Sequence, residues 1–150
     1  MPDGGYGGPV LLDNSAWASA GLGRLEGADL ERFEGAVLND EIVVCPPFAL
    51  EALYSARGPQ DYEELKRELS GFRFAPADHG TWQIAATAQA ALVANPAVSH
   101  RVKPIDLLLA AVADQNRYGV LHYDHDYDTI ARHTPLSFRS VWVAPRGTLD

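Results

Sequence analysis

Four carboxylates stand where apolar runs give way to turns or helices. They are Asp13 closing Val10-Leu-Leu-Asp13, Glu51 in Cys45-Pro-Pro-Phe-Ala-Leu-Glu51, Asp106 in Lys103-Pro-Ile-Asp106, and Asp124 closing Val120-Leu-His-Tyr-Asp124. A carboxylate half removed from water costs free energy unless something cationic gathers it. Four such acids on four separate segments are most economically read as converging on a divalent metal. Taken singly, each has a plainer reading: Asp106 as a helix N-cap, Asp13 as the start of a turn, Glu51 as an exposed helical glutamate, and Asp124, Asp126 and Asp128 as an acidic surface loop. The joint pattern favours one site.

Other site types fail on the same residues. Asp124-x-Asp126-x-Asp128 opens like a calcium-binding EF-hand loop, but its sixth position is Thr129 instead of Gly and its twelfth is Pro135 instead of Glu. The chain has no His-Glu-x-x-His, no P-loop and no Gly-x-Ser-x-Gly. Gly4-Gly-Tyr-Gly-Gly8 precedes the first strand, so it cannot serve as a dinucleotide-binding turn. The single Cys45 excludes an internal disulfide and a cysteine metal cluster, and it reads as a small buried hydrophobe. His122 and His125 flank Asp124 within reach of a metal or phosphate, although a strand histidine more often packs within the fold. Ser15 offers a hydroxyl to metal or substrate, or else caps the first helix.

The elements that must position these residues alternate. Residues 1 to 8 read as a mobile lead-in, and residues 9 to 150 as one domain. Val10 to Leu12 is a buried strand. A helix containing Trp17 follows, with Asn14 and Ser15 as its N-cap. Residues 28 to 39 form a helix with Leu30, Phe33, Val37 and Leu38 on one face, and Ile42 to Cys45 is a second strand. Pro46-Pro47 opens a helix running to about Arg57, and residues 60 to 70 form a charged amphipathic helix. Phe72 to Ala75 is a short strand, Thr81 to Ala94 an Ala-rich helix, and 96 to 104 a polar loop carrying His100, Arg101 and Lys103. Asp106 to Tyr118 is an apolar helix with Gly119 as its C-cap, and its Ala110 and Ala111 allow close approach of another element. Val120 to Tyr123 is a strand, Tyr127 to His133 a helix and Ser140 to Val143 a last strand. This alternation predicts an α/β fold with a parallel sheet, in which ligands sit beyond the carboxyl ends of the strands. Asp13 and Asp124 lie at such ends.

With 12 Lys+Arg against 20 Asp+Glu, the 150-residue chain carries a formal net charge of -8 and lacks the basic footprint of a nucleic-acid binder. Part of that excess reads as a metal pocket in place of general surface acidity. The N-terminus has no positive region followed by a long apolar stretch, and no window nears the length of a membrane span. The expectation is a cytoplasmic protein with no membrane partner.

Together, Leu11-Leu-Asp13-Asn-Ser15, Pro47-x-x-x-Glu51-x-x-x-Ser55-x-Arg57, Pro104-Ile-Asp106-Leu-Leu-Leu-Ala-Ala-x-Ala113 and Leu121-His-Tyr-Asp124-His-Asp126-Tyr127 resemble the PIN domain, and more narrowly the VapC-type toxins of toxin-antitoxin pairs. Each piece is short, but their order and spacing are specific and span about residues 10 to 145. The resemblance implies a three-layer α/β/α fold with a mainly parallel sheet of four to five strands. It also implies a Mg²⁺- or Mn²⁺-dependent endoribonuclease, usually a homodimer, held inactive by a cognate antitoxin in its active-site groove. Asp13, Glu51, Asp106 and Asp124 match the family's acidic quartet, and Asp126 the further acid two residues on. His122 stands where many members have Thr or Ser, and Tyr127 replaces a frequent Phe with little expected consequence.

Hard carboxylate oxygens suit Mg²⁺ or Mn²⁺, which neutralises phosphate oxygens and supplies a nucleophilic water. On this reading Asp13 and Asp106 are the principal ligands. Glu51 and Asp124 are further ligands or water-positioning groups, with Asp126 in reserve. Ser15, Arg57 and Lys103 are the candidate substrate contacts, with Arg24, Arg101 and Arg117 as further basic residues at the rim. The alternatives are a processing nuclease with no antitoxin, and a catalytically silent module whose acidic groove docks a basic peptide.

Overall fold

Val10, Leu11 and Leu12 are all wholly buried, although successive side chains of a strand point to opposite faces of its sheet. Both faces of the sheet are therefore covered, as parallel strands connected by helices require. The computed structural model describes residues 5–99 and 101–150. Among them the order is β1 (Val10–Leu12), α1 (Asn14–Gly21), α2 (Gly27–Leu38), β2 (Ile42–Val44), α3 (Pro46–Leu53), α4 (Pro59–Leu69), β3 (Arg73–Phe74), α5 (His79–Ala94), α6 (Pro104–Asn116), β4 (Gly119–His122), α7 (Asp126–His133) and β5 (Arg139–Trp142).

The five strands lie in the order β3-β2-β1-β4-β5, and every pairing is parallel. The chain first runs outward from β1 through β2 to β3. It then returns through α5 and α6 to place β4 on the other side of β1, where Val10 pairs with Gly119 and Leu12 with Leu121. The order thus reverses between β1 and β4, and a crevice opens beyond their carboxyl ends. Helix α6 passes beside it with Leu107 and the run Leu109–Ala113 buried, the small Ala110 and Ala111 among them.

Several boundaries differ from the sequence expectation for identifiable reasons. The N-cap of α1 is Asp13, not Asn14 or Ser15: its extended backbone lets the carboxylate accept the Ser15 amide at 2.9 Å, while Asn14 is already helical. Helix α3 stops at Leu53, short of Arg57, and the Ser55 hydroxyl donates to the Ala52 carbonyl at 2.7 Å beyond its end. On α2 the buried residues are Phe33 and Ala36, whereas Leu38 is exposed, since it lies about 140° round the helix from Phe33 at 3.6 residues per turn. Of the lead-in, residues 1–4 and likewise His100 lie outside the described residues. Tyr6 is buried, with the Arg32 guanidinium 4.4 Å from its ring centre.

Gly119 does not cap α6. Arg117 takes the left-handed conformation there (φ 59°), and Gly119 instead begins β4. A side chain at Gly119 would meet Val10 Cγ1 at 3.1 Å and both Arg139 Nη2 and Val141 Cγ2 at 3.2 Å. Gly119→Ala is therefore expected to cost about 1–3 kcal/mol by overpacking. Urea denaturation checks this, and an unchanged midpoint would show slack between the two neighbouring strands.

Candidate active site

The crevice beyond β1 and β4 collects the acids. Asp13 leaves the end of β1 and Asp106 lies in the first turn of α6, 4 % and 1 % exposed respectively. Between them stands Tyr127 of α7, wholly buried, its hydroxyl 2.6 Å from Asp13 Oδ1 and 3.2 Å from Asp106 Oδ1. Asp106 is not an N-cap: Lys103 occupies that position, and the recorded carboxylate contact is to Tyr127. Asp106 Oδ2 is buried with no hydrogen-bond partner, an arrangement that leaves a hard oxygen donor for a cation.

Electrostatics tie the other acids to the same place. Burial, then the charge of Asp13, pushes the Asp106 carboxyl up to about 7, with Lys103 opposing and Asp124 adding to the rise. Glu51 is raised by burial and then by Asp13, again against Lys103. Lys103 is held protonated above its usual range by Asp106 first and then by Asp124, Asp13 and Glu51, against its own partial burial. One ammonium thus feels all four acids, with its Nζ 3.9 Å from Asp124 Oδ2. Asp126 is raised by burial and by Asp124, and together with Asp124 and His125 it forms a trio whose ligand atoms lie within 4.8 Å of one another.

A single hydroxyl proton cannot serve two carboxylates in full. The 2.6 Å bond commits the Tyr127 proton to Asp13, and the longer contact is satisfied when Asp106 carries its own proton. Tyr in place of Phe thus adds a hydroxyl that both acids meet. The hydroxyl is the group that joins the two most buried acids. Its cue in the sequence was the i,i+3 spacing of Tyr127 and Ile130, which turns both inward from α7.

The histidines divide. His122 is fully buried and both its ring nitrogens are engaged, so it touches neither metal nor phosphate. Its Nδ1 accepts the Asp124 amide N–H at 3.1 Å, which places the ring proton on Nε2. From there the chain of bonds runs to Ser140 Oγ at 2.7 Å and on to Asp128 Oδ1 at 2.6 Å, and Trp142 Nε1 donates to Asp128 Oδ2 at 3.0 Å. Burial pushes His122 down to about 4, so it stays neutral as this network requires. In the sequence Asp128 reads as part of an acidic loop, and Ser140 and Trp142 as plain strand residues, because the partners that give them this role lie on other elements.

Among the candidate substrate contacts, Lys103 lies within the site. The Ser15 hydroxyl donates to Asp13 Oδ2 and accepts the Tyr123 amide at 2.8 Å, so it braces α1 against the exit of β4 and is already spent. Arg57 is exposed and pairs with Asp61 at 3.5 Å. Arg117 lies just before β4, at the amino end of the sheet and away from the crevice, so it leaves the rim.

The PIN domain family model matches residues 10–133, most of the chain. This chain is a PIN domain. Ribonuclease VapC18 of Mycobacterium tuberculosis is 38 % identical over 139 residues, covering 92 % of this chain and 97 % of that protein. Ribonuclease VapC51 of the same species is 34 % identical over 101 residues, 67 % of this chain and 71 % of that protein. The fold is similar to that of a chain in the crystal structure of DNA-bound VapBC from Salmonella typhimurium, with TM-score 0.70 at 15 % identity, covering 91 % of this chain and 99 % of that one. VapBC2 from Rickettsia felis gives TM-score 0.67 at 14 % identity, covering 89 % and 98 %. Among the described residues no helix is long and apolar enough to cross a membrane.

The raised Asp106 carboxyl makes the cation-free PIN domain sensitive to pH in a definite direction. An acid that holds its proton more tightly when folded loses folding stability as pH climbs from its unfolded value near 4 to about 7. Measured against Asp106→Asn, the wild type is expected to lose stability across that window by at most about 1.4 kcal/mol per pH unit. Parallel pH profiles of the two urea midpoints would refute the burial of that charge.

Proposed function

We propose that this PIN domain is a Mg²⁺- or Mn²⁺-dependent endoribonuclease, the toxin of a toxin-antitoxin pair. The observation that carries the reading is the gathering of Asp13, Glu51, Asp106 and Asp124 around one ammonium, with Asp106 Oδ2 buried and unpartnered. Relatives named ribonucleases over nearly the whole chain support the activity, and structural neighbours solved as VapBC complexes support an antitoxin partner.

Asp13 and Asp106 are the residues that would hold the cation, with Asp124 and Asp126 at the outer side. A bound Mg²⁺ or Mn²⁺ neutralises phosphate oxygens and lowers the pKa of a coordinated water. Glu51, with its carboxyl shifted toward neutral pH, is the group suited to take a proton from the attacking water at its carboxylate oxygen. Lys103 is released from the acids once their charge is met, and is then free to face a phosphate. Arg57 is a second phosphate contact at the rim, since its exposed pair with Asp61 offers little resistance to exchange. Ser15 acts through Asp13.

A homodimer is the proposed assembly. On α2 and α4, Val37, Leu38 and Tyr62 are exposed, and Leu50 of α3 and Tyr54 just beyond it add apolar surface. The proposed location is the cytoplasm. A small upstream reading frame encoding a DNA-binding partner would separate the toxin from a processing nuclease.

The decisive assay incubates antitoxin-free protein with structured RNA in Mg²⁺ or Mn²⁺. Cleavage is expected to stop with EDTA and to fall by at least about 100-fold in a folded Asp106→Asn variant. Cleavage that survives EDTA or the substitution would sink the metal mechanism. Tight capture of a basic peptide without metal, and no cleavage with any divalent ion, would favour the silent docking module.

A further inference from the structure

Among the described residues, Tyr127 is the one uncharged side chain that hydrogen-bonds both of the most buried acids. Its hydroxyl lies 2.6 Å from Asp13 Oδ1 and 3.2 Å from Asp106 Oδ1, and its ring is stacked on His122 with centres 4.8 Å apart and planes 29° apart. The ring cannot drift, because His122 is itself fixed at both nitrogens, through the Asp124 amide and Ser140. Asp13 is held from the other side by Ser15, which donates to Oδ2 through both its amide and its hydroxyl. Asp106 has no comparable brace: Oδ1 meets Tyr127 and Oδ2 meets nothing. The orientation of Asp106 therefore depends on a hydroxyl contributed by another helix.

We propose that Tyr127 is a positioning residue of the cation site, its hydroxyl setting the spacing of Asp13 and Asp106 and turning Asp106 so that Oδ2 is left free for the metal. The inference rests on the reading of these acids as a divalent-cation site. A phenylalanine at this position keeps the stack on His122 and the fill of the core but removes the hydroxyl that both carboxyls meet. Among the described residues Asp106 would then have no hydrogen-bond partner on either oxygen, and the two acids would lose their common aim. Groups that orient a ligand in this way typically change metal affinity by about 10–100-fold when removed.

The test measures Mn²⁺ binding to the full chain by the EPR signal of free Mn²⁺, with no RNA present. Three proteins are compared: wild type, Tyr127→Phe, and Ile130→Val, which loosens the same helix at a fully buried residue whose side chain has no hydrogen-bonding group. Circular dichroism establishes that each is folded. Tyr127→Phe is expected to bind Mn²⁺ about 10-fold or more weaker than wild type, and Ile130→Val to bind as wild type does. Equal affinity in wild type and Tyr127→Phe overturns the positioning role alone. An equal loss in Ile130→Val also overturns it, since loosening α7 would then account for the effect. A wild type that takes up no Mn²⁺ overturns the cation reading and the role of Tyr127 with it.

Discussion

Two carboxylates held almost wholly out of water, side by side, are the constraint around which this domain is built. Charging Asp106 is costly in that crevice, because it is buried and because Asp13 lies beside it. The fold answers with groups drawn from the whole length of the chain. Ser15 caps Asp13 from α1, Tyr127 bridges from α7, and Lys103 brings an ammonium to the start of α6. These are substitutes for a stronger cation. They leave Asp106 Oδ2 unmatched and its carboxyl near neutrality, a residual cost that a divalent ion would remove.

The sheet order makes that concentration possible. The strand order reverses between β1 and β4, the switch point of a doubly covered parallel sheet, where loops from both halves of the chain meet. Asp13 and Asp124 are carried there by the two central strands, and α6 supplies Asp106 from below with a face of alanines that lets it lie close. The network His122–Ser140–Asp128–Trp142 then locks the end of β4 to β5 and α7, fixing both the Asp124 backbone and the ring of Tyr127. Positioning at the site is thus inseparable from packing at the sheet edge.

What was legible in the sequence followed from local pattern. Acids at the ends of apolar runs mark strand exits and helix starts, so Asp13, Asp106 and Asp124 could be read as neighbours, and alternation of strand and helix foretold the parallel sheet. Features set by tertiary partners were not legible. Tyr127 reads as a core aromatic until the acids it meets, 114 and 21 residues away, are placed beside it. His122 next to Asp124 reads as a packed strand histidine with a ligand role still open, until Ser140 is seen to take its other nitrogen. Gly119 reads as a helix cap because glycine most often supplies the left-handed turn, but the crowding of Val10, Arg139 and Val141 demands it for the strand, and Arg117 makes the turn instead.

The central claim is that this crevice is built for a divalent cation, and the most direct measurement is an anomalous difference map from crystals grown with Mn²⁺. The account predicts a peak within coordination distance of both Asp13 and Asp106 Oδ2, with Lys103 Nζ withdrawn from the acids. A map with no peak there, or with Mn²⁺ only on the outer trio of half-buried Asp124 and Asp126 with exposed His125, would contradict it.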